Sequence, residues 1–292
     1  MQTKRLPRYL KKTLVLSGTV HDTKSVLRQQ GLHTVCESAR CPNISECFGM
    51  HRATFLIMGD TCTRTCRFCS VTKGHPLMPD PGEPDRIARS VAQLGIRHAV
   101  ITSVTRDDLQ DGGADHFFRT ALAVKQACPG TTVELLTPDF QGSRRALEHL
   151  LMTEFEIFNH NVETVPALYK RIRPQAGYQR SLDILHFVKQ HARILVKSGL
   201  MAGLGETEEQ VKAVLRDLKE AGCDIVTIGQ YLMPTLTNIP VQSYVSDETY
   251  QAYARYGREI GIPFVYAGPF VRSSYHAQEI MHTASAGERP AD

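Results

Sequence analysis

The chain has 292 residues, 42% of them hydrophobic and 22% charged, which excludes disorder as its main theme and leaves ample material for a buried core. A net charge of +4, from 34 basic and 30 acidic residues, is too mild and too evenly spread to argue for a nucleic-acid partner. No apolar run approaches the roughly eighteen residues that span a bilayer, and Met1–Lys12 lacks the apolar core of a secretory signal, so the expected setting is cytoplasmic with no membrane partner.

In chain order, an arm comes first and reaches about Met50. It opens on Lys4, Arg5, Arg8, Lys11 and Lys12 and carries Cys36, Cys41 and Cys47. Its basic start reads as a solvated tail or as a surface that steers an acidic partner. The first strand is expected at Thr54–Met58, and Cys62, Cys66 and Cys69 follow it directly. A proline-rich irregular loop, Gly74–Pro84, leads to a helix with the apolar stripe Ile87, Val91 and Leu94. Further strands are expected at His98–Val104, Thr132–Thr137 and Phe155–Asn159. A second stripe, Leu182, Leu185 and Val188, precedes a strand at Ile194–Leu200. The next helix starts at Thr207, whose hydroxyl caps it while Gln210 reaches back; Val211, Val214, Leu215 and Leu218 form its inner face and Gly222 ends it. A sixth strand is expected at Ile225–Tyr231.

Parallel neighbours need a crossover, and a helix is the usual one, so this alternation predicts an α/β fold with a parallel sheet. Six visible strand–helix units favour a partial, splayed six-unit barrel over a doubly wound sheet. The division expected is an arm over 1–50, the barrel over 51–268 and a tail over 269–292.

Of eight cysteines, Cys128 at a helix end and Cys223 at a strand start read as small buried hydrophobes, and the other six lie in the two triplets. Such crowding in a reducing compartment reads as metal ligation. In Cys62-Thr-Arg-Thr-Cys66-Arg-Phe-Cys69, three thiolates within eight residues wrap one face of a four-iron cubane and leave one iron open to substrate chemistry. The alternative is a zinc knot with His51 or His75 as fourth ligand, although zinc motifs usually come as two spaced pairs.

The first of these motifs resembles the signature of the radical S-adenosylmethionine superfamily. That resemblance implies a [4Fe–4S] cluster on Cys62, Cys66 and Cys69, S-adenosylmethionine chelating the fourth iron, and Phe68 beside the adenine. The spacing Cys36-x4-Cys41-x5-Cys47 is similar to the auxiliary-cluster motif of lipoyl synthases, and Arg272-Ser273-Ser274-Tyr275 is similar to their C-terminal motif. The implication is a second [4Fe–4S] cluster with Ser274 as releasable fourth ligand. It extends to sulfur insertion at C6 and C8 of a carrier-bound octanoyl-lysine, with the auxiliary cluster as sulfur donor. Oxygen is a poorer match for iron than thiolate, which suits a cluster meant to give up sulfide.

Several residues are candidates for the cofactor. Thr105, Arg106 and Asp107, in the loop after the second strand, would meet its methionine end by the superfamily resemblance, or form a capped turn. Glu134 is a lone carboxylate in an apolar strand, suited to ribose hydroxyls or to a cationic partner. Asn159 and Asn161 flank His160, which is taken as a satisfied core histidine. Lys197 pairs with Glu134 or meets the cofactor. Gly203 and Gly205 resemble the superfamily's adenine-binding element, or serve a tight strand–helix connection. Met233, after Gln230-Tyr231, borders the cofactor, lines an apolar tunnel or packs in the core. Arg171 and Arg173 steady a carboxylate or complement a helix end. The expected partners are an octanoylated lipoyl-carrier protein or domain, a one-electron donor such as ferredoxin or flavodoxin, and a cluster-repair protein. The rivals are a biotin synthase, a family that lacks the first triplet, and a zinc-stabilised binding module.

Overall fold

The structure, a computed structural model, describes residues 7–12 and 17–274; Lys4, Arg5 and Tyr275 lie outside the described residues. It divides into two compact units. Of the described residues, an N-terminal unit holds 17–65 and 70–159, and a C-terminal unit holds 7–12, 66–69 and 160–274.

The N-terminal unit runs α1 (Gly18–Gln29), β1 (His33–Thr34), α2 (Val35–Ser38), α3 (Ile44–Gly49), β2 (Thr54–Ile57), β3 (Thr61–Cys62), β4 (Thr72–Lys73), α4 (Glu83–Leu94), β5 (His98–Ser103), α5 (Ala114–Ala127), β6 (Thr132–Leu136), α6 (Arg144–Leu150) and β7 (Ile157–Asn159). Its sheet orders β1, β2, β5, β6 and β7, with β1 antiparallel to β2 and each later pair parallel. The residues of β2 are buried throughout, as expected of a strand covered on both faces. Helix α4 buries the predicted Ile87, Val91 and Leu94, admits Pro84 in its first turn and ends at Gly95, whose φ of +62° is the left-handed conformation that glycine adopts without strain. Register aligns Ile57 with Ser103, Thr102 with Leu136, and Leu136 with Asn159. The carboxyl ends are therefore nearly flush, and the loops after them leave from one edge.

The C-terminal unit runs α7 (Tyr169–Ile172), α8 (Tyr178–His191), β8 (Leu195–Ala202), α9 (Glu208–Glu220), β9 (Ile225–Gln230), α10 (Asp247–Glu259) and β10 (Phe264–Gly268). Strands β8, β9 and β10 pair in parallel. Helix α9 starts as the sequence predicts: the Gln210 N–H donates to Thr207 Oγ1 at 3.3 Å and the Thr207 N–H donates to Gln210 Oε1 at 3.0 Å. Its inner face, Val211, Val214, Leu215 and Leu218, is fully buried. Strand β10 is additional to the six strands read from the sequence. It begins straight after Pro263, and only its first two residues are buried.

Candidate cluster and cofactor sites

In the N-terminal unit, the triplet Cys36, Cys41 and Cys47 is gathered by two short helices and the turn between them. Cys36 sits in α2, which Thr34 caps by accepting the Glu37 N–H at 3.3 Å; Cys47 sits in α3. The Cys41 N–H donates to the Cys36 carbonyl at 3.0 Å, and the Cys47 N–H to the Asn43 carbonyl at 2.9 Å. Burial and the nearby charges of Cys41 and Cys47 push the Cys36 thiol up to about 12, against hydrogen bonds to its sulfur from the Thr54 N–H and hydroxyl. A thiol so placed yields its proton near neutral pH only to a metal, and two donors aimed at its sulfur suit a cluster thiolate. The residues fit an iron–sulfur cluster on that ground. Among the described residues no three His, Cys, Asp or Glu side chains close on one point; in a cluster each thiolate takes a different iron. His51, weighed above as a zinc ligand, has its Nδ1 3.2 Å from Thr23 Oγ1.

Cys62 ends β3, at the carboxyl edge of this unit's sheet. Its sulfur accepts the backbone N–H groups of Arg64 at 3.4 Å and Thr105 at 3.3 Å. The loop after β5 is pinned around it: Thr63 donates to the Thr105 carbonyl from its N–H at 3.1 Å and its hydroxyl at 2.9 Å. Arg64 donates to both Asp107 oxygens at 2.6 and 2.8 Å, and to Asp139 at 2.5 Å. Burial alone would favour neutral Arg64, but its hydrogen bonds to both carboxylates outweigh it and raise its pKa. Arg106, fully buried, donates to Asp108 at 2.7 Å. Of the loop residues predicted to meet the cofactor, Asp107 is therefore a partner of Arg64, and Arg106 a partner of Asp108. Glu134 is also fully buried; one oxygen accepts Asn159 Nδ2 at 2.6 Å and the other lies 3.4 Å from His98 Nε2. Arg64, Asp139 and His98 were not singled out in the sequence, where a charge between two cysteines carries no pattern of its own.

In the C-terminal unit, residues 66–69 are held by backbone bonds. The Arg67 N–H donates to the Ile172 carbonyl at 2.9 Å, and Asn238 Nδ2 donates to the carbonyls of Arg67 and Cys69, each at 3.0 Å. Asn238 is a site residue that nothing in its sequence neighbourhood announces. Phe68 packs on an apolar cluster of Ile172, Leu204 and Tyr231, together with Met201 and Met233. This partly open apolar surface fits a flat purine ring. Gly203 has φ +96°, and a Cβ there would lie 2.2 Å from Gln230 Nε2 and 2.5 Å from the Ser243 carbonyl, so the close approach it permits is to its own chain. Arg171 donates to the Leu204 carbonyl at 2.6 Å, and Arg173 to the Asn161 and Val162 carbonyls at 3.0 and 3.1 Å. Lys197 is fully buried in β8, and buried His160 is 3.0 Å from Ser181 Oγ, as a core histidine should be. Asn161 Nδ2 donates to Ser273 Oγ at 2.6 Å, beside half-buried Ser274. Outside both triplets, Cys223 is buried, while Cys128 caps α5 and is only partly buried.

A model of the radical SAM superfamily matches residues 56–218, and one of the N-terminal domain of lipoyl synthase matches residues 1–41. The chain is similar to the lipoyl synthase of Nitratidesulfovibrio vulgaris strain Hildenborough, 52% identical over 274 residues, covering 94% of this chain and 92% of that one. The lipoyl synthase of Caldanaerobacter subterraneus subsp. tengcongensis is 51% identical over 276 residues, covering 94% and 96%. Among solved structures, methylornithine synthase (PylB) superposes with a TM-score of 0.56 at 16% identity over 95% of each chain. Streptococcus suis SuiB bound to S-adenosylmethionine gives a TM-score of 0.60 at 12% identity, over 87% of this chain and 57% of that one. At those identities the structural likeness is one of fold.

Proposed function

The chain belongs to the lipoyl synthase family of radical S-adenosylmethionine enzymes, and from that premise we propose which of its residues carry the activity. Membership brings [4Fe–4S] clusters and S-adenosylmethionine as cofactors and a lipoyl-carrier substrate. Cys62, Cys66 and Cys69 hold the cluster that S-adenosylmethionine joins, and Cys36, Cys41, Cys47 and Ser274 hold the auxiliary one. When bound, these groups supply a carbon radical and the sulfide for insertion at C6 and C8 of an octanoyl-lysine, which acid–base groups could not achieve at unactivated C–H bonds.

The chain's own residues bind and orient. Phe68 and Met233 offer an apolar face for the adenine, next to the turn at Gly203 and Gly205. Thr105 steadies the Cys62 sulfur through its N–H, and Arg64 and Asp107 fix the loop that brings that N–H there. Glu134, Asn159 and Lys197 are the polar groups for the cofactor's sugar, and Arg106 and Asn161 border the site. Ser274, a hard oxygen ligand, is the one able to let go of iron. On this reading residues 1–50 are the auxiliary-cluster arm, 51–268 the catalytic body and 269–292 the serine-bearing tail. Ferredoxin or flavodoxin suits the one-electron supply, and a cluster-repair protein suits an enzyme that consumes its own sulfide.

The observation that carries the reading is the gathered Cys36–Cys41–Cys47 triplet, one ligand short of a full set. It is tested by loading the auxiliary cluster with heavy-isotope sulfide and running one turnover in unlabelled sulfide. Both product sulfurs should carry the label, Cys66→Ala should make no 5′-deoxyadenosine, and Ser274→Ala should lose most sulfur insertion. Unlabelled product beside an intact auxiliary cluster would exclude the sacrificial role.

A further inference from the structure

The segment around Ser274 is placed by contacts within the C-terminal unit. It turns on its own bonds first: the Val271 N–H donates to the Gly268 carbonyl at 3.1 Å, and Arg272 Nη1 donates to the Val271 carbonyl at 2.6 Å and the Pro269 carbonyl at 3.3 Å. It then lies directly on β9. A Cβ on Gly229 would sit 2.1 Å from the Val271 carbonyl oxygen and 3.0 Å from Arg272 Nη1, a separation no side chain accepts. This glycine, next to last in β9, is therefore the space in which the segment beds down.

Beyond that bed stands Asn161. An amide nitrogen carries two N–H groups; here Asn161 Nδ2 donates to Ser273 Oγ at 2.6 Å and to Glu163 Oε1 at 3.2 Å. Glu163 is itself held hard. Its φ of +66° is unusual for a residue with a side chain, and backbone bonds on both sides fix it to β8: its N–H to the Gly199 carbonyl, and the Met201 N–H to its own carbonyl, each at 2.9 Å. A Cβ on Gly199 would lie 2.4 Å from Thr227 Oγ1 and 3.0 Å from Asn161 Oδ1, so the space this second glycine leaves is shared by the Thr227 hydroxyl and the amide. Strain of this kind persists where the surroundings over-determine it, and it concentrates where position matters.

We propose that Asn161, oriented by Glu163 and given room by Gly199, is a positioning residue that latches the Ser273 hydroxyl on the bed formed by Gly229, and so sets the register in which Ser274 is presented to iron. This rests on the reading of Ser274 as a cluster ligand and assigns Asn161 a task distinct from touching S-adenosylmethionine. The two adjacent serines divide the work: Ser273 anchors, Ser274 exchanges. A ligand that must release iron benefits from a neighbour that does not move with it, because the free hydroxyl stays at high effective concentration for the next cluster.

The test uses the cluster-loaded enzyme and reads amide hydrogen exchange in peptides covering residues 268–274, together with the Mössbauer spectrum of the auxiliary cluster. Ser273→Ala should speed exchange there on the order of tenfold, the usual net worth of one hydrogen bond. Ser273→Thr, which keeps the hydroxyl, should restore protection, and Ser273→Ala should add little in an Asn161→Ala background. Gly229→Ala should lift the same segment by a different route. In Ser273→Ala the serine-ligated iron site should lose its definition in the spectrum. Unchanged exchange in Ser273→Ala would overturn the latch, as would full additivity with Asn161→Ala. Ser274→Ala separates the two ideas: if its spectrum matches the wild type, Ser274 is not a ligand, and the register proposed for it falls whatever Ser273 does.

Discussion

At the scale of single residues, the cysteines were legible and their supports were not. Thiolate spacing is written in consecutive positions, so Cys62, Cys66 and Cys69 stand out in any reading of the chain. The groups that orient them, Arg64, Asp139 and Asn238, come from loops far apart in sequence and have no period or motif. Arg64 is the strongest case, since it is 4% exposed and its partner Asp139 is fully buried. Removing Arg64 takes from buried Asp139 a cationic partner 2.5 Å away and from Asp107 its two-bond fork. Arg64→Ala should therefore lower the stability of the cluster-free protein to urea by about 3–5 kcal/mol, whereas a surface ion pair would cost at most about 1. Arg64→Lys should recover only part of this, because an ammonium cannot span Asp107 and Asp139 as a guanidinium fork does. A loss below 1 kcal/mol in Arg64→Ala would show that the loop after β5 is held by other means.

At the scale of elements, periodicity decided what could be read. Long amphipathic helices declare themselves: α9 starts at the predicted cap, and α4 buries the predicted stripe. The six strands found in the sequence are apolar or rich in β-branched residues. Strand β10 is apolar over residues 264–267 but follows directly on Pro263, which punctuates the pattern, and β1 is two residues long, too short for any alternation to show. The capping box of α9 offers a clean measurement, for Thr207 is exposed and its substitution removes little packing. Thr207→Ala should cost about 1 kcal/mol, and Thr207→Ser much less, by urea unfolding. If both substitutions were neutral, the two cap hydrogen bonds would contribute nothing net to the helix.

At the scale of the whole molecule, charge and chain order come into play. Residues 7–12 lie on the C-terminal unit, where the Tyr9 hydroxyl donates to the Val245 carbonyl at 3.4 Å and Lys12 Nζ stands 4.8 Å from the Phe270 ring centre. Exposed Lys11 belongs to the same basic stretch, next to the segment that ends in Ser274. Deleting residues 1–12 should weaken binding of an octanoylated carrier most at low salt, with the difference fading as ionic strength screens the attraction. Equal affinities across salt would leave this stretch no part in recognition. The bond between Asn161 and Ser273 has a different consequence, one of timing. The two residues are 112 positions apart, so at roughly 5–20 residues per second the ribosome delivers Ser273 some 6–22 s after Asn161. Strands β8, β9 and β10 are all made within that delay, and the cysteines at 36, 41 and 47 are made earlier still. On the reading proposed for Ser274, a nascent chain thus carries a three-cysteine arm for many seconds before its serine exists, and an oxygen ligand can join the auxiliary cluster only after residue 274 has been synthesised.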